Sequence, residues 1–349
     1  GHIGCGLFPA TLALADATNS IEGHSFLTDV IIGYELGSRL ATSLHGTVSD
    51  YHTSGAWISI AVAAIGARRL GLTKEKTKHA LGIAEYHGPR SQMMRCIDHP
   101  TMLKDGSGFG AMAGISAAYL AKNGFSGAPA ITMDSDGVIS FWKDLGQKWL
   151  IKEQYFKPYP VCRWAQAPIE AVLQLKHQYN ITSKEVKNIE IHTFHEAIRL
   201  AISEPKTTEE AQYSTSYPCA VALVNGDVGV KEVSENSFRE PETLRISKAL
   251  KMVENEYCNS QFPTQRFASA KIELNDGRIL ETEFVNPRWT AEHPPKASEL
   301  KTKFFKLSNP IIGKDNSKKI EFAVNNLKTN SELNNLTSLL YEPIDGDSI

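Results

Sequence analysis

The chain is poor in cysteine, with five among 349 residues: Cys5, Cys96, Cys162, Cys219 and Cys258. They are widely spaced, odd in number and contain no Cys-x-x-Cys pair. This argues against a disulfide framework or a zinc site and fits a reducing, cytoplasmic compartment. Long hydrophobic runs are also missing. The longest, Trp57 to Ala67, stops at Arg68-Arg69, well short of the roughly 20 residues a membrane helix needs. No basic segment precedes an apolar stretch at the N-terminus, so no signal peptide is read there. Nor is there an excess of charge: 37 basic residues face 39 acidic ones, for a formal net charge of −2. No whole-chain field draws nucleic acid or an anionic membrane, and an anionic ligand must find its cations gathered locally.

What is present is the balance of a globular protein, 42% hydrophobic and 22% charged, long enough for two cores. From Pro9 to about residue 150 the pattern is helical and rich in small residues. Ala56 to Ile65 is apolar nearly all round and predicts a buried helix ending near Gly71. Thr73, with Glu75 behind it, suits the N-cap of the next helix. Phe109 to Lys122 predicts another, closed by Asn123-Gly124. Two prolines in Phe156-Lys157-Pro158-Tyr159-Pro160 then break the pattern.

Beyond that break, Pro168 suits the first turn of a helix. Val186 to Phe194 alternates as a strand, and Phe267–Leu274 and Arg278–Phe284 flank the hairpin signal Asn275-Asp276-Gly277. A helix is expected over Pro241 to Glu254. After Pro294-Pro295 helices return, the first capped by Ser298, with two more behind it. The organisation is therefore mixed: an all-α domain, residues 1–154, an inserted α+β domain, 155–290, and C-terminal helices, 291–349, that rejoin the first. A cleft between the two is the natural ligand site.

Four islands combine polar groups with residues that constrain the backbone: Gly1-His2-Ile3-Gly4-Cys5-Gly6, Tyr51-His52-Thr53-Ser54-Gly55, His99 to Gly106, and Phe156 to Trp164. A histidine at a helix N-terminus sits where backbone N–H groups also face an anion. Lysines pinned by Pro or Gly, as Lys104 and Lys157 are, can be tuned for proton transfer by desolvation. Arg163 can grip a carboxylate with two parallel hydrogen bonds. Each island also has a plain structural reading, as a cap, a solvated lysine or a Pro-rich linker. Their combination is what points to chemistry. Competing motifs are weaker: Gly106-Ser107-Gly108-Phe109-Gly110 follows no strand and fits neither a dinucleotide fingerprint nor a P-loop. His192 and His195 would face different sides, so no metal pair is expected, and Asp98-His99 lacks a nucleophile to orient.

In order along the chain, Gly-His followed by Phe8-Pro9-Ala10, Tyr51-His52-Thr53-Ser54-Gly55, Leu103-Lys104-Asp105-Gly106, Phe156-Lys157-Pro158-Tyr159-Pro160-Val161-Cys162-Arg163 and Ala211-Gln212-Tyr213-Ser214-Thr215-Ser216-Tyr217 resemble the MmgE/PrpD family. The resemblance runs to about residue 340, and the Lys-Pro-Tyr-Pro-x-Cys-Arg string is its most specific element. It implies a helical domain with an inserted α+β lid, a homodimer, and an active site between the two domains. It also implies cofactor-free chemistry on 2-methylcitrate, cis-aconitate or iminodisuccinate. The site residues it carries over are His2, His52, Lys104, Lys157 and Tyr217, with Arg163 added on chemical grounds. A further N-terminal stretch, bearing an Asp and a Thr of the pocket, is expected ahead of Gly1. Ile3 stands where Pro is usual, and Asp105 follows Lys104 where several members carry a His-containing sequence; both bear on substrate choice. The expected activity is that of a metal-free, cofactor-independent lyase, dehydratase-like, acting on a small di- or tricarboxylate. Decarboxylation and epimerisation use the same parts, and an inactive scaffold paralogue is the alternative outside enzymology.

Overall fold

The computed structural model describes residues 2–19, 22–329 and 332–342. The chain divides into two compact units: Gly1–Cys96 with Leu103–Gln154 and Ser308–Ile349, and Ile97–Met102 with Tyr155–Leu307.

The first unit is helical: α1 (Gly4–Ala17), α2 (Gly23–Thr47), α3 (Gly55–Arg69), α4 (Lys74–His87), α5 (Met93–Asp98, whose last two residues belong to the second unit), α6 (Ser107–Lys122) and the short α7 (Ile131–Asp134). Helix α3 is the all-round apolar segment of the sequence, and Trp57, Ile58, Ile60, Val62 and Ile65 along it are each 2% exposed or less. It is sheathed by α1, α2, α4 and α6. Thr73 caps α4, its hydroxyl accepting the Lys76 N–H. Small residues let α3 and α6 approach until backbone meets backbone. A Cβ on Gly110 would lie 2.6 Å from the Gly55 carbonyl oxygen, and one on Gly114 would lie 2.8 Å from the Val62 Cβ.

Buried charge fixes α2 to its neighbours. Asp29, fully buried, binds Arg68 at 2.7 Å and also Arg69. Arg39, 1% exposed, reaches Glu35 at 2.7 Å, Asp144 at 2.6 Å and the carbonyls of Phe141 and Lys148. Removing one member of such a set leaves an uncompensated buried charge, which costs more than the set contributes when whole.

The second unit is α+β. Its sheet has the order β2-β1-β3-β4, from β1 (Val186–Thr193), β2 (Leu250–Glu254), β3 (Ala268–Leu274) and β4 (Ile279–Glu281). Strand β1 is central, parallel to β2 (Ile189 opposite Leu250) and antiparallel to β3 (Ile189 opposite Ile272). The β3–β4 hairpin turns at Asn275-Asp276-Gly277, with Gly277 at φ 87°. Helix α8 (Arg163–Tyr179) packs on β3 through Ile169, Val172 and Leu175.

Three expectations are corrected. The helix expected over Pro241–Glu254 stops at Ala249, and Leu250–Glu254 becomes β2. A parallel partner more than fifty residues upstream decides this, and local pattern cannot report it. Pro168 is the sixth residue of α8, not in its first turn. The helix begins earlier because the Gln166 amide donates to the carbonyls of Tyr159, Val161 and Cys162 and anchors the preceding turn. Ser298 lies inside the first C-terminal helix, which starts at Ala297, and does not cap it; Gly313 (φ 76°) kinks Ala297–Asn326 into two helices, and Asn334–Leu340 follows, so the three expected helical segments are present. Among the described residues no helix is long and apolar enough to cross a membrane.

Gly114→Ala tests the α3–α6 contact. The new methyl has no room against Ser59, Val62 and Ala63, so it should cost about 1–3 kcal/mol of overpacking strain and lower the urea midpoint. Gly137→Ala, where nothing lies within 4 Å, is the control. An unmoved midpoint in Gly114→Ala would refute the close packing.

Candidate active site

In the first unit the site is built on a turn. Lys104, Asp105 and Gly106 all have positive φ, 43°, 62° and 64°. For two non-glycine residues in succession this costs on the order of 1–3 kcal/mol each, and surrounding contacts must hold them there. Those contacts are visible. The Gly106 N–H bonds to the Leu103 carbonyl at 2.8 Å, and the hydroxyls of Ser54 and Ser107 share a 2.6 Å hydrogen bond. The Gly106 carbonyl lies against Gly55, where a Cβ would approach to 2.6 Å.

The turn delivers Asp105, 5% exposed, to His2: Nδ1 lies 2.9 Å from Oδ2. Cys96 donates its S–H to the other carboxylate oxygen at 3.5 Å. The His2 carbonyl accepts the Trp57 indole N–H at 3.2 Å. With Nδ1–H on the carboxylate, His2 Nε2 is left buried with no hydrogen-bond partner among the described residues. Lys104, half-buried, sits beside this pair in the same turn.

His52, just ahead of α3, is 7% exposed, and its Nδ1 is likewise buried without a partner. Burial lowers its pKa first and Arg90 second, with the Ser91 carbonyl and Asp50 opposing. Its backbone N–H donates to Nε2 of His45 at 3.2 Å, which assigns the His45 proton to Nδ1. Burial, and then the neighbouring His52, push His45 down to about 4. His45 stacks on Tyr51 with centroids 4.7 Å apart and meets Trp57 edge-on at 5.2 Å. Trp57 thus touches the support of both histidines.

In the second unit Arg163 is 7% exposed and lies 3.9 Å over the Tyr155 ring, with Nε and Nη1 lacking any hydrogen-bond partner. Burial pulls its pKa down to about 10. Lys157 is half-buried, and its ammonium has no hydrogen-bond or ion-pair partner among the described residues. Its carbonyl accepts the Lys303 ammonium, whose own pKa is lowered by burial and by Lys157. Tyr217 stands differently. It is 1% exposed in the core, its hydroxyl donates to the carbonyls of Glu232 at 3.2 Å and Ser237 at 3.4 Å, and burial pushes its pKa up to about 12. Asp98 is held by Arg199 at 2.6 and 2.7 Å.

Sequence reasoning passed over His45, Lys303 and the supporting role of Trp57. None lies in a motif, and only the aromatic character of Trp57 beside the Tyr-His island was a usable signal. A cleft of about 610 Å³ in the second unit is lined by Tyr159, Glu170, His177, Asp227 and Arg288 among others. Its acids are already paired, Glu170 with Tyr159 and Arg288, Asp227 with Lys306. Unsatisfied groups lie elsewhere, His2 and His52 in the first unit and Arg163 in the second. Among the described residues no group of three or more His, Cys, Asp or Glu is arranged to hold a metal ion.

The depressed His45 and His52 pKa values set a pH dependence of stability. The unfolded chain protonates first as pH falls, so their contribution is complete above about 6.5 and declines toward about 4, where His45 charges in the fold as well. His45→Phe keeps the ring contacts and should flatten this decline in urea melts across that window. The same slope in both proteins would contradict the burial of a neutral His45.

Comparison with known proteins identifies the family. Residues 1–146 match the MmgE/PrpD N-terminal domain and residues 159–329 the MmgE/PrpD C-terminal domain. The cis-aconitate decarboxylase-like protein oryM of Aspergillus oryzae is 23% identical, over 97% of this chain and 77% of its own length. The cis-aconitate decarboxylase of Homo sapiens is 23% identical over 98% of this chain and 75% of its own. A probable 2-methylcitrate dehydratase of Saccharomyces cerevisiae is 23% identical over 78% and 60%. With both domain models matched in order along nearly the whole chain, the protein belongs to the MmgE/PrpD family.

Proposed function

We propose that the protein is a cofactor-independent lyase that moves a proton on a small di- or tricarboxylate. The observation that carries this reading is that the buried polar atoms without partners include Nε2 of His2, Nδ1 of His52, and Nε and Nη1 of Arg163. Buried groups of this kind are costly to leave unsatisfied; the Arg163 donors complement carboxylate oxygens, and the histidine nitrogens can exchange a proton with a ligand. Lys157 and Arg163 neutralise substrate carboxylates. His52, kept neutral by burial, takes the proton from the carbon next to a carboxylate. The negative charge that develops is tolerable only beside fixed cations. His2, held through Nδ1 by Asp105, returns a proton through Nε2 to the departing hydroxide, while Lys104 contributes positive charge beside the pair. We assign the acid to His2 rather than Tyr217 because the Tyr217 hydroxyl is already spent on two carbonyls.

Decarboxylation is the second reading. It uses the same groups, with carbon dioxide leaving and His2 protonating the carbon. It is favoured by relatives named as cis-aconitate decarboxylases, which align over 97–98% of this chain, against 78% for the dehydratase.

The test is turnover of 2-methylcitrate, citrate, cis-aconitate and iminodisuccinate, followed by alkene absorbance and NMR, in wild type and Lys157→Met. On the best substrate the variant should lose about 2–5 kcal/mol of transition-state stabilisation in kcat/KM, with its melting temperature nearly unchanged. Wild-type activity in the variant, or a large drop in melting temperature with modest loss of turnover, would make Lys157 structural.

A further inference from the structure

Arg163 is not alone. Arg266 lies in the segment leading from the Glu256–Gln261 helix to β3, half-buried, with its Nε enclosed and without a hydrogen-bond partner. Neither arginine forms an ion pair with any described residue, and Arg163 is more than nine-tenths buried. Ring packing brings the two stretches of chain together: Trp164, which follows Arg163, meets Phe194 and Phe262 edge-on at 5.7 Å, those two rings stack at 4.6 Å, and Phe262 is four residues ahead of Arg266. In keeping with this, the charge of Arg266 disfavours that of Arg163. The Tyr155 ring, 3.9 Å from the Arg163 guanidinium, partly offsets it.

Two cations close in the fold, one of them deeply buried and neither ion-paired, are an unfavourable arrangement for a folded chain by itself. A ligand bearing one negative charge would leave half of that cost in place. A ligand bringing two carboxylates would compensate both, each planar group matching one guanidinium fork. We propose that Arg266 is a specificity-determining residue that, together with Arg163, takes two carboxylates of one ligand, so that the protein accepts polycarboxylates and rejects monocarboxylates. The identity of that ligand with the substrate rests on the lyase reading above; the paired-arginine site itself does not.

Calorimetric titration with citrate, acetate and inorganic phosphate tests this without turnover. Wild type should bind citrate far more tightly than acetate or phosphate. Arg266→Met should weaken citrate tenfold or more and leave acetate unchanged, and Arg266→Lys should recover part of the loss. The ligand-free melting temperature of Arg266→Met should equal or exceed that of wild type, because a repulsion has been removed. Citrate affinity unchanged in Arg266→Met overturns the proposal; if Arg163→Met alone loses citrate, the polycarboxylate reading survives without Arg266. Phosphate binding as tightly as citrate would mean that the pair reads charge and not two carboxylates, which also overturns it. If neither arginine variant alters citrate binding, the carboxylate-anchoring role of Arg163 fails as well. Should Arg266→Met fail to fold by circular dichroism, Arg266→Lys decides: full citrate affinity with unchanged selectivity over phosphate and acetate would then be the contrary result.

Discussion

The first unit depends on one steric condition, that α3 and α6 meet without side chains between them. Gly55, Gly110 and Gly114 leave no space for a Cβ, and the turn just ahead of α6 is pressed onto the start of α3 as a consequence. That contact holds Lys104, Asp105 and Gly106 in a left-handed path which two of the three would not choose. Asp105 is thereby fixed against His2. Within the glycine-rich stretch 106–110, which superficially suggests a phosphate loop, Gly110 serves this packing and Gly106 the left-handed turn.

Around that frame the charges fall into two kinds. One kind is ion-paired inside the fold: Asp29 with two arginines, Arg39 with Glu35 and Asp144. These bind elements together. The other kind is buried and incomplete, in the two site histidines of the first unit and, separately, Arg163 and Arg266 of the second. The arginines need an anion rich in oxygen and the histidines a group with which to exchange a proton, and this is why the functional reading follows them and not the cleft of the second unit, whose acids are satisfied.

Much of the fold was legible because its signals are local. The apolar run of α3, the Thr73 cap and the Asn275-Asp276-Gly277 hairpin are each written within a few residues. Strand β2 was not legible, since its assignment rests on a parallel neighbour distant in sequence, and the start of α8 depends on Gln166 bridging three carbonyls. The same division holds for the site. His2, His52, Lys104, Lys157 and Arg163 stand in constrained islands and could be singled out. His45, Lys303 and Arg266 carry no local mark, because what makes each of them matter is a neighbour brought by the fold. Tyr217 shows the converse: a residue in a recognisable string whose hydroxyl is tied to core carbonyls.

The account turns on Asp105 acting through the His2 imidazole, and Asp105→Asn probes it most directly, keeping the shape and removing the charge. The measurement is kcat against pH on the best polycarboxylate substrate, together with citrate affinity. The account predicts a fall in kcat of about a hundredfold or more, as for loss of a positioned acid–base group, with citrate affinity preserved. A variant with wild-type kcat and an unaltered pH profile would contradict it.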